Sequence, residues 1–265
     1  MKSYAQNLED LLLQRVFSGK EHGFYIDIGA HDPDELSVTK VFYDDFHWNG
    51  INVEPVPESH ARFEKARPRD INVRAVISDE AGIKPFYRIK GITPGGIRGS
   101  ALSSCSEAIT REETRKLGMS YERMDIRSMT MSDLCRNYLP PGQQVDFLKI
   151  DAEGHEQRIL LGADFESFRP AVVVMETTLP GISNPLKLLD RDDWNCNAAL
   201  DPIMQRFCYS RVWFDGLNAF YLAEEHMELH KYFTLPLGIY DGLSVPGLYS
   251  RISELHHRVR ELESK

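Results

Sequence analysis

The sequence predicts a doubly wound α/β domain whose mostly parallel sheet ends in an antiparallel hairpin. Three observations predict it. Short β-rich runs alternate with amphipathic helical stretches between residues 24 and 77. The runs Val145–Ile150 and Ala171–Met175 are near-continuously apolar, as strands covered on both faces are. Near the end, two β-rich runs flank Asp215–Asn218, a link that contains glycine and reads as a hairpin turn.

The elements follow in order. From Gln6 to Phe17, Leu8, Leu11, Leu12, Val16 and Phe17 recur at three- and four-residue steps, one face of a helix. The first strand is Phe24–Ile28, stopped by Gly29. A helix is expected from Asp34 to Phe46 with Leu36, Val41 and Phe42 turned inward. Ile51–Glu54 is the second strand, closed by Pro55, and Pro57–Ala66 the next helix. A third strand is expected over Ile71–Ile77.

The pattern weakens between Lys90 and Met129. Gly91–Ser104 holds four glycines and a proline, which predicts a mobile loop able to act as a lid. Polar Ser106–Leu117 reads as a helix, and so does Thr130–Tyr138, ended by Pro140-Pro141-Gly142. Strands Val145–Ile150 and Ala171–Met175 resume the sheet, and Tyr209–Phe214 with Ala219–Leu222 form the hairpin. After Pro246, the residues Leu248, Ile252, Leu255, Val259 and Leu262 alternate at steps of four and three. That spacing divides the chain into a domain over 1–245 and a C-terminal helix over 246–265, the start of a coiled coil through which the chain would form a homodimer.

Composition bounds the function. The 265 residues are 42% hydrophobic and 27% charged, ordinary for a globular protein, and the net charge of −9 disfavours a nucleic-acid partner. No apolar run is long enough for a membrane span. The early acids Glu9 and Asp10 are unlike a secretory signal, which points to a cytoplasmic protein. Four cysteines without Cys-x-x-Cys spacing read as reduced thiols, with Cys135 and Cys208 as core filler.

An open parallel sheet closed by an antiparallel hairpin is the architecture of most S-adenosylmethionine methyltransferases. Such a site needs a tight turn after the first strand and acids for the ribose and the amino group, outside the carboxyl ends of the strands. Here Asp27-Ile28-Gly29-Ala30-His31 closes the first strand, and Glu54 ends the second 27 residues after Asp27. A dinucleotide oxidoreductase would need Gly-x-Gly-x-x-Gly, and positions 31 and 34 are His and Asp. A second polar cluster, Asp151, Glu153 and His155, follows Val145–Ile150, and Glu176 follows Ala171–Met175. Asp151 and Glu176 are placed to share a divalent metal such as magnesium; alternatively His155 takes the proton of an attacking hydroxyl.

These residues resemble the FkbM-type methyltransferase family. Ser3-Tyr4-Ala5-Gln6-Asn7-Leu8-Glu9-Asp10 is similar to its opening signature, Phe24–Ala30 to its first motif and Asn52-Val53-Glu54-Pro55 to its second. Ala75-Val76-Ile77-Ser78-Asp79 with Gly82 resembles the third. Phe147-Leu148-Lys149-Ile150-Asp151-Ala152-Glu153-Gly154 with Glu156 resembles its most distinctive block, and Trp213–Asn218 its late hairpin. His31, Asp32 and Pro33 depart from the Asn and Gly that commonly continue the first motif.

The resemblance implies a seven-stranded sheet of the class I type and O-methylation of a sugar hydroxyl in a bacterial surface polysaccharide or related glycan. Asp27, Gly29, Ala30, His31, Glu54, Pro55, Ser78 and Asp79 are expected at the S-adenosylmethionine, with Gln6 and Asp10 covering it. Asp151, Glu153, His155 and Glu176 are expected on the acceptor side. The rival reading is a non-catalytic module that binds S-adenosylmethionine or a glycan and positions partner domains through the coiled coil.

Overall fold

The computed structural model describes residues 2–178, 199–238 and 241. The heptads after Pro246 and Cys196 lie outside the described residues. Seven strands form one sheet: β1 (Phe24–Ile28), β2 (Asn49–Val53), β3 (Ile71–Val73), β7 (Phe147–Ile150), β8 (Val172–Glu176), β9 (Tyr209–Phe214) and β10 (Asn218–Ala223). Their order is β3-β2-β1-β7-β8-β10-β9. The first five run parallel, and β10 pairs antiparallel with both β8 and β9. This is the class I methyltransferase topology expected from the sequence. The strand order reverses between β1 and β7, and a crevice opens beyond their carboxyl ends.

Strand alternation divides the core. Ile26, Ile28, Leu148, Ile150, Val173 and Met175 face one apolar layer, with Leu134 of α5 (Met131–Tyr138) and Leu160 of α6 (Glu156–Leu161). Tyr25, Phe147, Val172 and Val174 face the other, with Leu13 of α1 (Glu9–Val16) and Phe42 of α2 (Lys40–Asp44). The remaining described helices are α3 (Pro57–Ala66), α4 (Glu107–Leu117) and α7 (Leu200–Arg206), with a 3-10 segment over Glu224–Phe233. No helix among the described residues is long and apolar enough to cross a membrane.

Several expectations are corrected. The helix expected over Asp34–Phe46 shrinks to α2. Asp32 Oδ1 accepts the backbone N–H groups of Asp34 and Glu35, both at 2.9 Å, and this local bonding displaces the first helical turn. Leu36, at φ 55°, is left 36% exposed instead of turned inward, whereas Val41 and Phe42 are buried as expected. The strand expected over Ile71–Ile77 divides at Arg74–Ala75. Its second part, β4 (Val76–Ser78), leaves the main sheet.

There it joins β5 (Gly82–Lys90) and β6 (Ser120–Thr130) in a three-stranded sheet of order β4-β6-β5, where the sequence pattern is weak. Pro85 is tolerated because β5 is an edge strand. The stretch Gly91–Ser104 is folded, not open. An Ile92–Arg98 bridge is followed by a 3-10 turn, Gly99–Leu102, and Ser104 bridges Tyr87 of β5. Cys135 is buried as expected. Cys208 is exposed, because it occupies a left-handed turn (φ 58°) between α7 and β9.

Candidate active site

The floor of the crevice is built where β1 and β7 end. Gly29 sits at φ +75°, and a side chain there would run into the Asp151 carbonyl oxygen. Glycine is therefore required both for its backbone conformation and for this close approach. Beyond it, the His31 N–H donates to Glu54 Oε2 at 2.8 Å and the Val56 N–H to Glu54 Oε1 at 2.7 Å. Glu54 is only 5% exposed, and burial pushes its carboxyl up to about 8. Burial likewise pulls the His31 ring down to about 4.

Lys149, within the apolar strand β7, carries no site signal in its residue type, yet it lies at the centre of the floor. Its ammonium donates to the Gly29 carbonyl at 2.9 Å and lies 3.4 Å from Asp27 Oδ1 and 3.3 Å from Asp151 Oδ2. The two carboxylates hold it protonated well above the ordinary lysine value against the opposing effect of burial. A lysine inside an apolar strand buried on both faces needs such partners, and that is the signal that could have found it.

Along the ends of β7 and β8, carboxylate oxygens of Asp151, Glu153 and Glu176 lie within 4.8 Å of one another. Glu153 (φ 49°) and Gly154 (φ 89°) form a left-handed turn, held by Glu156 Oε1, which accepts the N–H groups of Ala152 at 2.9 Å and Gly154 at 3.2 Å. Burial, and then the Asp151 charge, push the Glu153 and Glu176 carboxyls well above the usual range. Such oxygen-only donors suit either a shared proton or a hard divalent cation.

His155 is engaged elsewhere. Its Nε2 lies 3.0 Å from Ser78 Oγ, and the Ser78 hydroxyl donates to Asp79 Oδ1 at 2.9 Å. With that single hydroxyl proton used, Nε2 is the donor to Ser78. Burial, then Lys84, pull the His155 ring down to about 4. Asp79 is paired with Arg158 at 2.6 Å, which, with the Ser78 bond, holds it down at about 2.

The cavity above this floor measures about 280 Å³. Ala75, Ile77 and Phe86 line an apolar part, and Ile97, Ala101 and Leu102 of the folded Gly91–Ser104 segment cover it. Arg98 fastens that segment by pairing with Asp32 and, at 3.1 Å, with Glu35. Asp32 is also held by Arg62 at 2.9 Å.

Of the residues expected at the cofactor, Gln6, Gly29, Ala30, His31, Glu54 and Pro55 line the cavity. All four expected on the acceptor side, Asp151, Glu153, His155 and Glu176, line it too. Asp10, Asp27, Ser78 and Asp79 are not among its lining residues. Asp10 is fully buried and folds the N-terminal segment, accepting Ser3 Oγ–H at 2.8 Å and the Tyr4 N–H at 2.7 Å. Asp27 shares the face of Tyr25, beneath the floor, and is 1% exposed; Ser78 is fully buried.

The family model described as the Methyltransferase FkbM domain matches residues 27–190, well over half of the chain. The match runs from Asp27, near the end of β1, through β8, and takes in the carboxyl ends of β1, β2, β7 and β8 that border the crevice. No curated protein matches the chain.

Proposed function

This chain belongs to the FkbM methyltransferase family, and from that premise we propose that its crevice binds S-adenosylmethionine and transfers the methyl group to a hydroxyl, that of a sugar in a bacterial surface polysaccharide or related glycan. The observation that carries the reading is a row of strand ends. Glu54 after β2, Gly29 after β1, Asp151 after β7 and Glu176 at the end of β8 follow one another in sheet order along one cavity.

The row suits the donor from end to end. Ala75, Ile77 and Phe86 would pack on the adenine. Glu54 keeps lone pairs free beyond its two backbone N–H bonds, and these would accept the ribose hydroxyls. The Gly29–His31 turn lets the backbone approach the amino-acid end. Asp151, Glu153 and Glu176 favour a cationic sulfonium beside them.

Bound S-adenosylmethionine supplies an electrophilic methyl group, whose transfer forms a C–O bond, breaks a C–S bond and leaves a neutral thioether. The protein's main task is alignment and exclusion of water, and orientation alone can supply roughly 7–11 kcal/mol. The folded Gly91–Ser104 cover serves that task. Glu153 and Glu176, their carboxyls raised by burial and then by the Asp151 charge, stand beside Asp151 as the groups that would accept the hydroxyl proton. His155 is the poorer base, with Nε2 committed to Ser78 and a ring that protonates only at about 4. Asp151 and Glu176 could also hold a divalent cation that polarises the acceptor oxygen. Lys149 already supplies a positive charge 3.3 Å from Asp151, and we favour the base reading on that ground.

The test is incubation with S-adenosylmethionine and bacterial oligosaccharides, read as S-adenosylhomocysteine released. Release that depends on an oligosaccharide supports the reading. Release with other hydroxyl compounds alone would remove the glycan from it, and binding without release from any acceptor would favour the non-catalytic module.

A further inference from the structure

Asp27 and Lys149 are register partners on the adjacent parallel strands β1 and β7, so their side chains leave the same face of the sheet. The Lys149 ammonium stands between three acceptors that belong to different parts of the site. It donates to the Gly29 carbonyl at 2.9 Å, and it lies 3.4 Å from Asp27 Oδ1 and 3.3 Å from Asp151 Oδ2. Among the described residues no hydrogen-bond donor reaches Asp27 Oδ1, which leaves this ammonium as its partner.

The contacts continue away from the crevice. Asp27 Oδ2 accepts the Thr39 hydroxyl at 3.0 Å, and Thr39 Oγ1 accepts Arg67 Nη1 at 2.6 Å. Arg67, only 2% exposed, also donates to the Pro33 carbonyl and, at 2.7 Å, to Ser37 Oγ. One buried chain of polar contacts thus runs from the segment that returns after β1, through Asp27, to the floor.

Volume alone does not explain Lys149. Its neighbours Phe147, Leu148 and Ile150 are at most 1% exposed, and a methionine would fill the same space without desolvating a charge. The β1 turn is held from the β2 side by the bonds of Ala30 to the Val53 carbonyl, at 3.1 Å, and of His31 to Glu54, at 2.8 Å. From the β7 side its carbonyl is held by Lys149.

We propose that Lys149 is a positioning residue of this site: its ammonium ties the Gly29 turn, which receives the donor's amino-acid end, to the Asp151 carboxylate, so that the donor site and the acceptor-side carboxyls keep one spacing. The inference rests on the methyl-transfer reading of the crevice. Asp27 is the anchor of this tie and does not itself contact the donor.

Calorimetric titration of the full chain and of Lys149→Met, each with S-adenosylmethionine and with S-adenosylhomocysteine, tests it. The second ligand lacks the sulfonium charge but has the same amino-acid end. A positioning role weakens both ligands tenfold or more, because both need the turn. Less than a tenfold loss for either ligand overturns the proposal. Tighter binding of the sulfonium alone would mark Lys149 as a mere counter-charge, and unchanged affinity in a less stable protein would mark it as a structural residue. If Lys149→Met does not fold, the double variant Asp27→Asn/Lys149→Met removes both charges and is held to the same threshold. Failure of the unaltered chain to bind either ligand would overturn the cofactor reading itself, and this inference with it.

Discussion

The backbone N–H of His31 donates to Glu54 Oε2 at 2.8 Å, which fastens the turn after β1 to the end of β2. The same carboxyl is buried and is the group proposed to meet the ribose. Its ionisation therefore bears on folding as well as on binding.

Glu54 makes stability depend on pH. Its carboxyl titrates at about 8 in the folded chain against 4.5 ordinarily, so the native state holds a proton that the unfolded state has lost. Stability from this group is present below about 4.5 and is lost as pH rises towards 8. His31 and His155, pulled from 6.5 to about 4, act in the opposite sense, but their contribution is complete by about 6.5. Denaturant unfolding should show stability falling between about pH 6.5 and 8, and Glu54→Gln should make that fall shallower by up to about 1.4 kcal/mol per pH unit. An equal slope in the variant would contradict the assignment.

Gly29→Ala should damage both fold and site. The left-handed conformation alone costs roughly 1–3 kcal/mol for a residue with a side chain. The added methyl group must also displace the Asp151 carbonyl. Thermal melting should drop by roughly 2–4 °C for each kcal/mol. An unchanged melting temperature would mean that the β1 and β7 ends are further apart than they stand here.

Glu176→Gln should lower turnover on the order of a hundredfold or more, as loss of a general base does. His155→Ala should leave turnover within about tenfold of the parent. The reverse ranking would return the proton to His155. A chelator should leave turnover intact; its loss, restored by magnesium, would place a cation on Asp151 and Glu176.

Arg98→Ala should loosen the cover over the cavity without unfolding the domain. The Arg98 side chain is 34% exposed, and a pair so placed contributes about 1 kcal/mol or less. Asp32 retains Arg62. Hydrogen exchange should accelerate across residues 91–104 with little change in melting temperature. Protection equal to that of the parent would show that the pair does not fasten the segment.

The residues that were legible in the sequence are those whose chemistry is local. Gly29 ends a strand, Glu54 and Glu176 close strands that carry few other charges, and the hairpin announces itself through Asp215–Asn218. Asp27 looks like a ligand because it is an acid beside that glycine. Strand alternation nonetheless puts it on the face of Tyr25, towards the helices. Lys149 hides in an apolar run because its partners arrive from another strand. The second sheet was illegible for a related reason. Ser120–Thr130 carries Arg123, Asp125 and Arg127, since one face of β6 meets solvent, and only pairing with β5 and β4 makes it a strand. Asp32 shortened a helix through two local hydrogen bonds that apolar periodicity does not register.

The measurement closest to the central claim is a calorimetric titration with S-adenosylmethionine and, separately, with NAD, repeated on Glu54→Ala. Saturable binding of S-adenosylmethionine is expected, with no response to NAD. The variant should bind roughly tenfold to a hundredfold more weakly, the effect of losing two hydrogen bonds of about 0.5–1.5 kcal/mol each. Unchanged affinity in Glu54→Ala, or binding of NAD in place of S-adenosylmethionine, would contradict the account.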